Sequence, residues 1–277
     1  MDAGPALPLD LEREIFETTA LLHISTIPAL LRVSHRVFAW IEPLLYRALR
    51  IDSPTTAKAI ERVMHERPPI FFSDNVRHFY FSQRCLWTCQ KVSALVRLCP
   101  YLVSLFFEGT WPESALLPVL DGILHLRSWR GSLRNLFGGA AIDLSLPFFR
   151  TITHLDVTLH GISTDTVLSL HKMPALSHLC LHNTVAVDLL SGLLEQCPRL
   201  RILLILCHPA YAEFADPVNS EITDMRCVVV VRGFRIHDWH GWLAEDGHDF
   251  WAGAEAFVAR KRRGEIPVSA RWLEPWW

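Results

Sequence analysis

The stretch Leu176-Ser-His-Leu-Cys-Leu-His182 decides the fold, because it returns 24 residues later as Leu200-Arg-Ile-Leu-Leu-Ile-Leu206. Both copies place apolar residues at the first, fourth and sixth positions. Seven copies follow one another at steps of 24 to 26 residues, and two of them, at Leu126 and Met225, are weaker; the first of these has Gly131 at its sixth position. The other five start at Val76, Leu102, Leu126, Ile152 and Met225. A fixed period of this length is typical of repeat proteins that add one strand and one helix per unit.

The segments between the copies are predicted to be helices. Val92, Leu95 and Val96 recur at helical spacing after the first copy, and Leu189, Leu190 and Leu193 do so after the fifth. Proline closes three of these segments just before the next strand, where a helix cannot continue. These residues are Pro100, Pro174 and Pro198.

Composition excludes several classes of protein. Half of the 277 residues are apolar and the net charge is −2, so neither a disordered chain nor a basic nucleic-acid-binding surface is expected. The longest apolar run is Ile202–Cys207, far below the ~20 residues that span a bilayer. We expect a protein of the cytoplasm, the nucleus or both, with no nucleic-acid or membrane partner. The odd number of cysteines predicts free, buried thiols, and Cys85 and Cys89 lack a second ligand pair for zinc.

Strand alternation predicts which residues line the side of the sheet away from the helices, which we call the open face. Positions three, five and seven of each copy lie there. The predicted target-binding residues on this face are His78, Tyr80, Phe106, Glu108, Arg130, His154, Asp156, His178 and His182. A solvated polar face without a ligand is the alternative. Metal binding by His154, Asp156, His178 and His182 is a remote one, and we predict no metal, no cofactor and no catalytic residue.

The last two strands are apolar on both faces, so the C-terminal segment is expected to cover them. Six of the ten tryptophans follow Val231. Phe250, Ala254, Phe257 and Val258 fall on one face of a predicted helix. The basic run Arg260-Lys261-Arg262-Arg263 suits either a helix end or a nuclear-localisation signal.

The first fifty residues predict two helices. Leu7-Pro8 is followed by Leu11, Ile15 and Phe16 at helical spacing. A second helix is predicted over residues 28–45, with its apolar residues on one face. These are Leu30, Val33, Val37, Trp40 and Ile41. A helical cap that shields the first repeat is one interpretation of this segment.

Residues 7–51 resemble the F-box, most closely the F-box-like variant common in fungal proteins. The Cys-Pro pairs at Cys99 and Cys197, with Ile162–Asp165, resemble the cysteine-containing leucine-rich repeats that often follow an F-box. This resemblance covers Val76–Val231. It implies an α/β fold with an F-box-like helical module (1–51) and a leucine-rich-repeat solenoid (52–231) whose parallel strands form the concave face. Residues 232–277 then form a tryptophan-rich helical cap and tail.

The resemblance also implies a function. The chain would be the substrate-recognition adaptor of an SCF-type cullin–RING ubiquitin ligase and would not itself be an enzyme. Its module would bind a Skp-family adaptor, and a cullin through it, while the repeats hold a target protein. The implied adaptor-binding residues are Leu7, Pro8, Leu11, Ile15, Phe16, Val33 and Trp40. The alternatives are a ligase-independent repeat scaffold and, more remotely, a metal-binding or enzymatic protein that uses the strand histidines.

Overall fold

The strands form one sheet. The computed structural model describes residues 7–109, 114–182, 186–208, 218, 221–231, 250–268 and 270. Within them an eight-stranded, all-parallel sheet runs in sequence order, each strand pairing with the next along the chain. Its strands are β1 (Ala48–Ile51), β2 (His78–Ser82), β3 (Ser104–Glu108), β4 (Ser128–Arg130), β5 (His154–Thr158), β6 (His178–His182), β7 (Ile202–Cys207) and β8 (Cys227–Val231). The predicted α/β class with parallel strands is confirmed.

Helices connect the strands or flank the sheet. They are α1 (Leu9–Leu22), α2 (Ile27–Leu30), α3 (His35–Leu45), α4 (Pro54–Glu66), α5 (Pro69–Asn75), α6 (Cys89–Arg97), α7 (Leu117–Leu120), α8 (Leu133–Leu136), α9 (Thr164–Leu168), α10 (Val187–Gln196) and α11 (Phe250–Arg262). No helix among the described residues is long and apolar enough to cross a membrane. All seven cysteines are free and buried, as predicted.

The repeat is visible in the backbone hydrogen bonds that start each strand. The carbonyl of Arg77 accepts from the N–H groups of Val103 and Ser104, at 2.7 and 3.1 Å. A carbonyl has two lone pairs, so one oxygen can serve both donors. The same pair of bonds recurs at the carbonyls of Arg47, Val103, Arg127, Thr153 and Ser177. Strands β2–β7 are thereby each anchored to the residue that precedes the strand before them.

The main core lies between the sheet and the connecting helices. Alternate strand residues point into it, and they meet the apolar face of helices such as α6. Aromatic rings from neighbouring strands contact one another along the sheet: the ring centroids of Phe81 and Phe107 are 5.4 Å apart and stacked, and those of Phe107 and Trp129 are 5.5 Å apart and tilted. This side of the sheet holds most of the buried apolar surface that stabilises the fold.

Both ends of the sheet differ from the sequence prediction. Residues Ala48–Ile51, which the prediction places in the helical module, form β1 and pair with β2. At the other end, Leu203 pairs with Cys227, so the repeat in β8 starts one residue earlier than predicted. Cys227 and Val229 therefore face the main core, and the open face receives Val228 and Val230.

The predicted continuous helix over residues 28–45 is wrong. The segment contains α2 and α3, separated by a turn at residues 31–34. Ser34 starts α3 as its N-cap, because its hydroxyl accepts the N–H of Val37 at 3.3 Å. Val33 consequently lies outside both helices, with 56% of its surface exposed.

Helix α11 lies on the open face of the last strands. Trp251, Ala254, Phe257 and Val258 are buried there. Their partners are Cys180, Ile202, Leu204, Val228 and Val230. This confirms the prediction that Ala254, Phe257 and Val258 cover the apolar open face of the last two strands. The structure does not describe the side chain of Phe250. The other five tryptophans after Val231 also lie outside the described residues: Trp239, Trp242, Trp272, Trp276 and Trp277.

The basic run at residues 260–263 ends α11. Arg260, Lys261 and Arg262 form its last turn, and Gly264 follows in the left-handed conformation at φ 73°. Lys261 is buried, and its ammonium donates to the carbonyl of Cys227 at 3.1 Å. The helix-end interpretation of this run therefore fits the structure.

Candidate functional site

The nine predicted target-binding residues lie along β2–β6 on the open face. The strand register pairs His154 with His178 and Thr158 with His182, as the sequence predicts. Five of the nine side chains are buried, so the alternative of a solvated polar face does not describe them. The buried ones are Tyr80, Phe106, Arg130, Asp156 and His178. The other four, His78, Glu108, His154 and His182, are half-buried.

The nine residues form a row of side chains across the open face, and those on β2–β4 make up its first part. The Tyr80 hydroxyl donates to Glu108 Oε2 at 2.7 Å, and its ring lies 4.7 Å from that of Phe106. Burial, with the nearby Glu108 carboxylate, raises the pKa of Tyr80, so its hydroxyl remains a donor. The guanidinium of Arg130 lies over the Phe106 ring at 4.4 Å. These contacts explain how polar residues are buried there without losing their partners.

Asp156 is the charged centre of the row. Its Oδ2 lies 3.2 Å from Arg130 Nε, and its Oδ1 lies 2.5 Å from His182 Nε2. Burial by itself would raise the pKa of Asp156, but the charges of Arg130 and His182 with the His182 hydrogen bond outweigh it and lower the pKa. The carboxylate is therefore ionised, and His182 Nε2 must be the donor.

His154 and His178 lie beneath α11. Their rings stack with centroids 4.2 Å apart. Each ring also makes a T-shaped contact with the Trp251 ring, with centroid distances of 5.4 Å for His154 and 5.5 Å for His178. His178 Nε2 also lies 3.1 Å from Glu255 Oε1 on α11. Burial lowers the pKa of His154 to about 3, with His178 and Arg201 adding to the effect. These two histidines therefore support the helix rather than face solvent.

A pocket of about 160 Å³ opens at the carboxyl ends of β3–β6. The side chains that line it are Phe106, Phe107, Glu108, Arg130, Ser132, Asp156, Thr158 and His182. Four of them carry ionisable groups and two carry hydroxyls, so the pocket offers polar partners to a ligand beside the rings of Phe106 and Phe107. Thr158 belongs to this pocket although the sequence prediction did not select it as a binding residue.

Cys180 is the residue that sequence reasoning missed. It pairs with Asp156 across β5 and β6 and lies two residues before His182 on the same face. The ligand atoms of Asp156, Cys180 and His182 all lie within 4.8 Å of one another. The remote metal prediction combined Asp156 and His182 with His154 and His178 instead. The predicted strand register places Cys180 beside Asp156, but a cysteine between Leu179 and Leu181 in an apolar strand is typical of a buried core thiol.

The predicted adaptor-binding residues fall into two groups. Phe16 and Trp40 are partly buried against the small core that Ala20, Ile27, Val37 and Ile41 form between α1, α2 and α3. The other five are exposed: Leu7, Pro8, Leu11, Ile15 and Val33. Nine of the fourteen exposed large apolar side chains that the structure describes lie between Leu7 and Leu45. This concentration marks the N-terminal helices as a candidate protein-binding surface.

Comparisons with known proteins leave the family open. A scan against protein-family models gives no match to this chain. A search of curated proteins likewise gives none. The functional conclusion therefore depends on the residues and geometry described above.

Proposed function

We propose that this chain is the substrate-recognition subunit of an SCF-type cullin–RING ubiquitin ligase. Helices α1–α3 form an F-box-like module that docks on a Skp-family adaptor, and the sheet belongs to a leucine-rich-repeat solenoid that holds the target. The observation that carries the proposal is the exposed apolar surface of α1, directly followed in the chain by eight sequential parallel strands.

The exposed apolar residues of α1, with Leu7 just before it, suit an adaptor interface. Leu7, Leu11 and Ile15 have about half of their surface in solvent, which costs free energy unless a partner covers them. The small core beneath them holds Phe16 and Trp40. Such a module can present an apolar face while its own packing keeps the helices in place.

The pocket at the carboxyl ends of β3–β6 is the proposed target contact. Helix α11 covers the open face of β7 and β8, and much of the rest of the face is buried by its own side chains. A target side chain or chain terminus with polar groups would fit beside Glu108, Thr158 and His182. The subunit then acts by proximity, because holding a target lysine near a charged conjugating enzyme raises its effective concentration.

A binding assay with a purified Skp-family adaptor tests the proposal. The full chain should bind, and Leu7→Asp combined with Pro8→Ala should weaken binding at least tenfold. Leu124→Asp is the matched control, because Leu124 is also an exposed leucine but lies outside the module. Absence of adaptor binding by the folded wild-type chain would instead favour a ligase-independent scaffold.

Photo-crosslinking tests the target contact. A photoreactive residue at position 158 should capture the same protein in repeated experiments, and one at position 124 should not. Equal capture from both positions would reject the pocket as the contact site.

A further inference from the structure

Three side chains with different ligand atoms converge on the open face. Asp156 lies on β5, and Cys180 and His182 lie two residues apart on β6. Residues at this spacing share a face of a strand, and neighbouring strands are about 4.8 Å apart. The carboxylate oxygen, the thiol sulfur and the imidazole nitrogen consequently lie within 4.8 Å of one another.

The carboxylate in this group has spare coordinating capacity. Asp156 is only 1% exposed, and its Oδ2 has no hydrogen-bond partner among the residues that the structure describes. Arg130 Nε lies 3.2 Å from that oxygen as an ion pair. This ion pair leaves the oxygen with lone pairs that no hydrogen bond from the described residues uses, and a metal ion could coordinate them.

We propose that Asp156, Cys180 and His182 bind a zinc ion. One oxygen, one sulfur and one nitrogen form a donor set that zinc accepts, with bonds of about 2.0–2.2 Å to oxygen and nitrogen and about 2.3 Å to sulfur. Thiolate and imidazole select against magnesium and calcium, which prefer oxygen. Arg130 would remain beside Asp156 and orient the carboxylate, as outer-shell partners of metal ligands do.

Binding requires small and defined changes. Zinc on His182 Nε2 takes the place of the hydrogen that Asp156 Oδ1 now accepts, so the present 2.5 Å contact between these two atoms must widen. Both nitrogen and sulfur must lose a proton to bind: His182 gives up the hydrogen on Nε2 and keeps one on Nδ1, and Cys180 becomes a thiolate, so one proton leaves from each ligand. Asp156 and His182 also line the pocket, which supplies an entry path and space for a fourth ligand.

The neighbouring histidines do not belong to this site. His154 and His178 stack on each other beside Trp251, and His178 contacts Glu255. The inference also stands apart from the proposed ligase role, because the three ligands are on the sheet and the adaptor surface is on α1–α3. A variant that loses zinc should therefore keep its adaptor affinity.

Metal analysis of the full chain is the first test. After exposure to zinc and removal of the excess, the wild type should retain about one zinc per chain. Cys180→Ala and His182→Gln should each lower zinc affinity at least tenfold. Cys207→Ala is the matched control, because it removes a buried strand thiol that faces the main core. Circular dichroism checks that each variant is folded, and a folded wild type that retains no zinc would overturn the proposal.

Spectroscopy on the wild type keeps the test independent of the variants. The cobalt-loaded chain should show a sulfur-to-cobalt charge-transfer band, and X-ray absorption of the zinc form should show one sulfur at about 2.3 Å. Zinc with only nitrogen and oxygen neighbours would reveal adventitious binding to other histidines and reject the site. If Cys180→Ala does not fold, these two spectra decide the question.

Discussion

The helices near the two ends of the chain differ in whether their apolar side chains are buried or exposed. Helix α11 buries Trp251, Ala254, Phe257 and Val258 against the open face of the sheet. Helix α1 buries only Ala20 and leaves Leu11 and Ile15 about half exposed. A helix that covers its own sheet contributes to folding, whereas one that presents its apolar face outward is suited to a partner. Four predictions test this contrast, in order of decreasing effect on folding stability.

Trp251→Ala should have the largest effect. Its ring is buried beside His154 and His178, and the truncation leaves a cavity under α11. We expect the free energy of unfolding, measured by urea denaturation, to fall by about 3–5 kcal/mol. Leu124→Ala, at an exposed site, should change it by less than about 0.5 kcal/mol. Equal effects of the two variants would mean that α11 is not packed on the sheet in solution.

His78 tests the junction between the N-terminal helices and β2. Burial, together with the charges of Arg47 and Arg77, lowers the pKa of His78 to about 4. An unfolded histidine titrates near 6.5, so between pH 6.5 and 4 the unfolded chain binds a proton that the folded chain does not. Stability should therefore fall with decreasing pH, and His78 should account for about 2 kcal/mol between pH 7 and pH 5.

The contribution of His78 is measured by comparison with His78→Gln. Denaturation curves at pH 7 and pH 5 should show a smaller loss of stability in the variant, because glutamine does not titrate. The amide can still bond to Ser104, whose hydroxyl lies 2.8 Å from His78 Nδ1. An identical pH dependence in both proteins would show that the packing around His78 does not shield its imidazole from solvent.

The repeat period made much of the sheet predictable. Apolar residues at fixed intervals predicted the pairing of β2–β7, because a slip of one residue would turn every apolar side chain to the wrong face. The same logic fails at β8. Cys227-Val-Val-Val-Val231 has no alternation of apolar and polar residues, so the sequence pattern cannot select a register.

The candidate site was predictable in its members but not in its environment. The alternation identified Asp156 and His182 as neighbours on the open face. Their burial depends on how Arg130 and Phe106 pack together, and that of His178 depends on where α11 docks. Contacts between residues distant in the sequence decide such burial, and no local pattern encodes them. The F-box-like assignment stays a proposal for the same reason, since it concerns a partner.

Glu255→Gln should weaken the docking of α11 only slightly. Glu255 contacts His178 at 3.1 Å and Arg201 at 3.2 Å, but 42% of its side chain is exposed. Solvent screens such pairs, so we expect the free energy of unfolding, measured by urea denaturation, to fall by less than about 1 kcal/mol at low salt. The loss should be smaller still at high salt. Glu265→Gln is a control on an exposed pair beyond the end of α11. A loss comparable to that of Trp251→Ala would mean that polar rather than apolar contacts hold the helix.

Ile15→Asp should have the smallest effect on folding, and this is what separates α1 from α11. Because Ile15 is 53% exposed, the aspartate is solvated in the folded state, and the free energy of unfolding should change by less than about 0.5 kcal/mol. Binding to a Skp-family adaptor should nevertheless weaken at least tenfold, since a charge would then lie in the apolar interface. Phe16→Asp, at the adjacent half-buried position, should destabilise the helices themselves. If Ile15→Asp proves as destabilising as Phe16→Asp, then the outer face of α1 is covered within the chain and is not available to a partner.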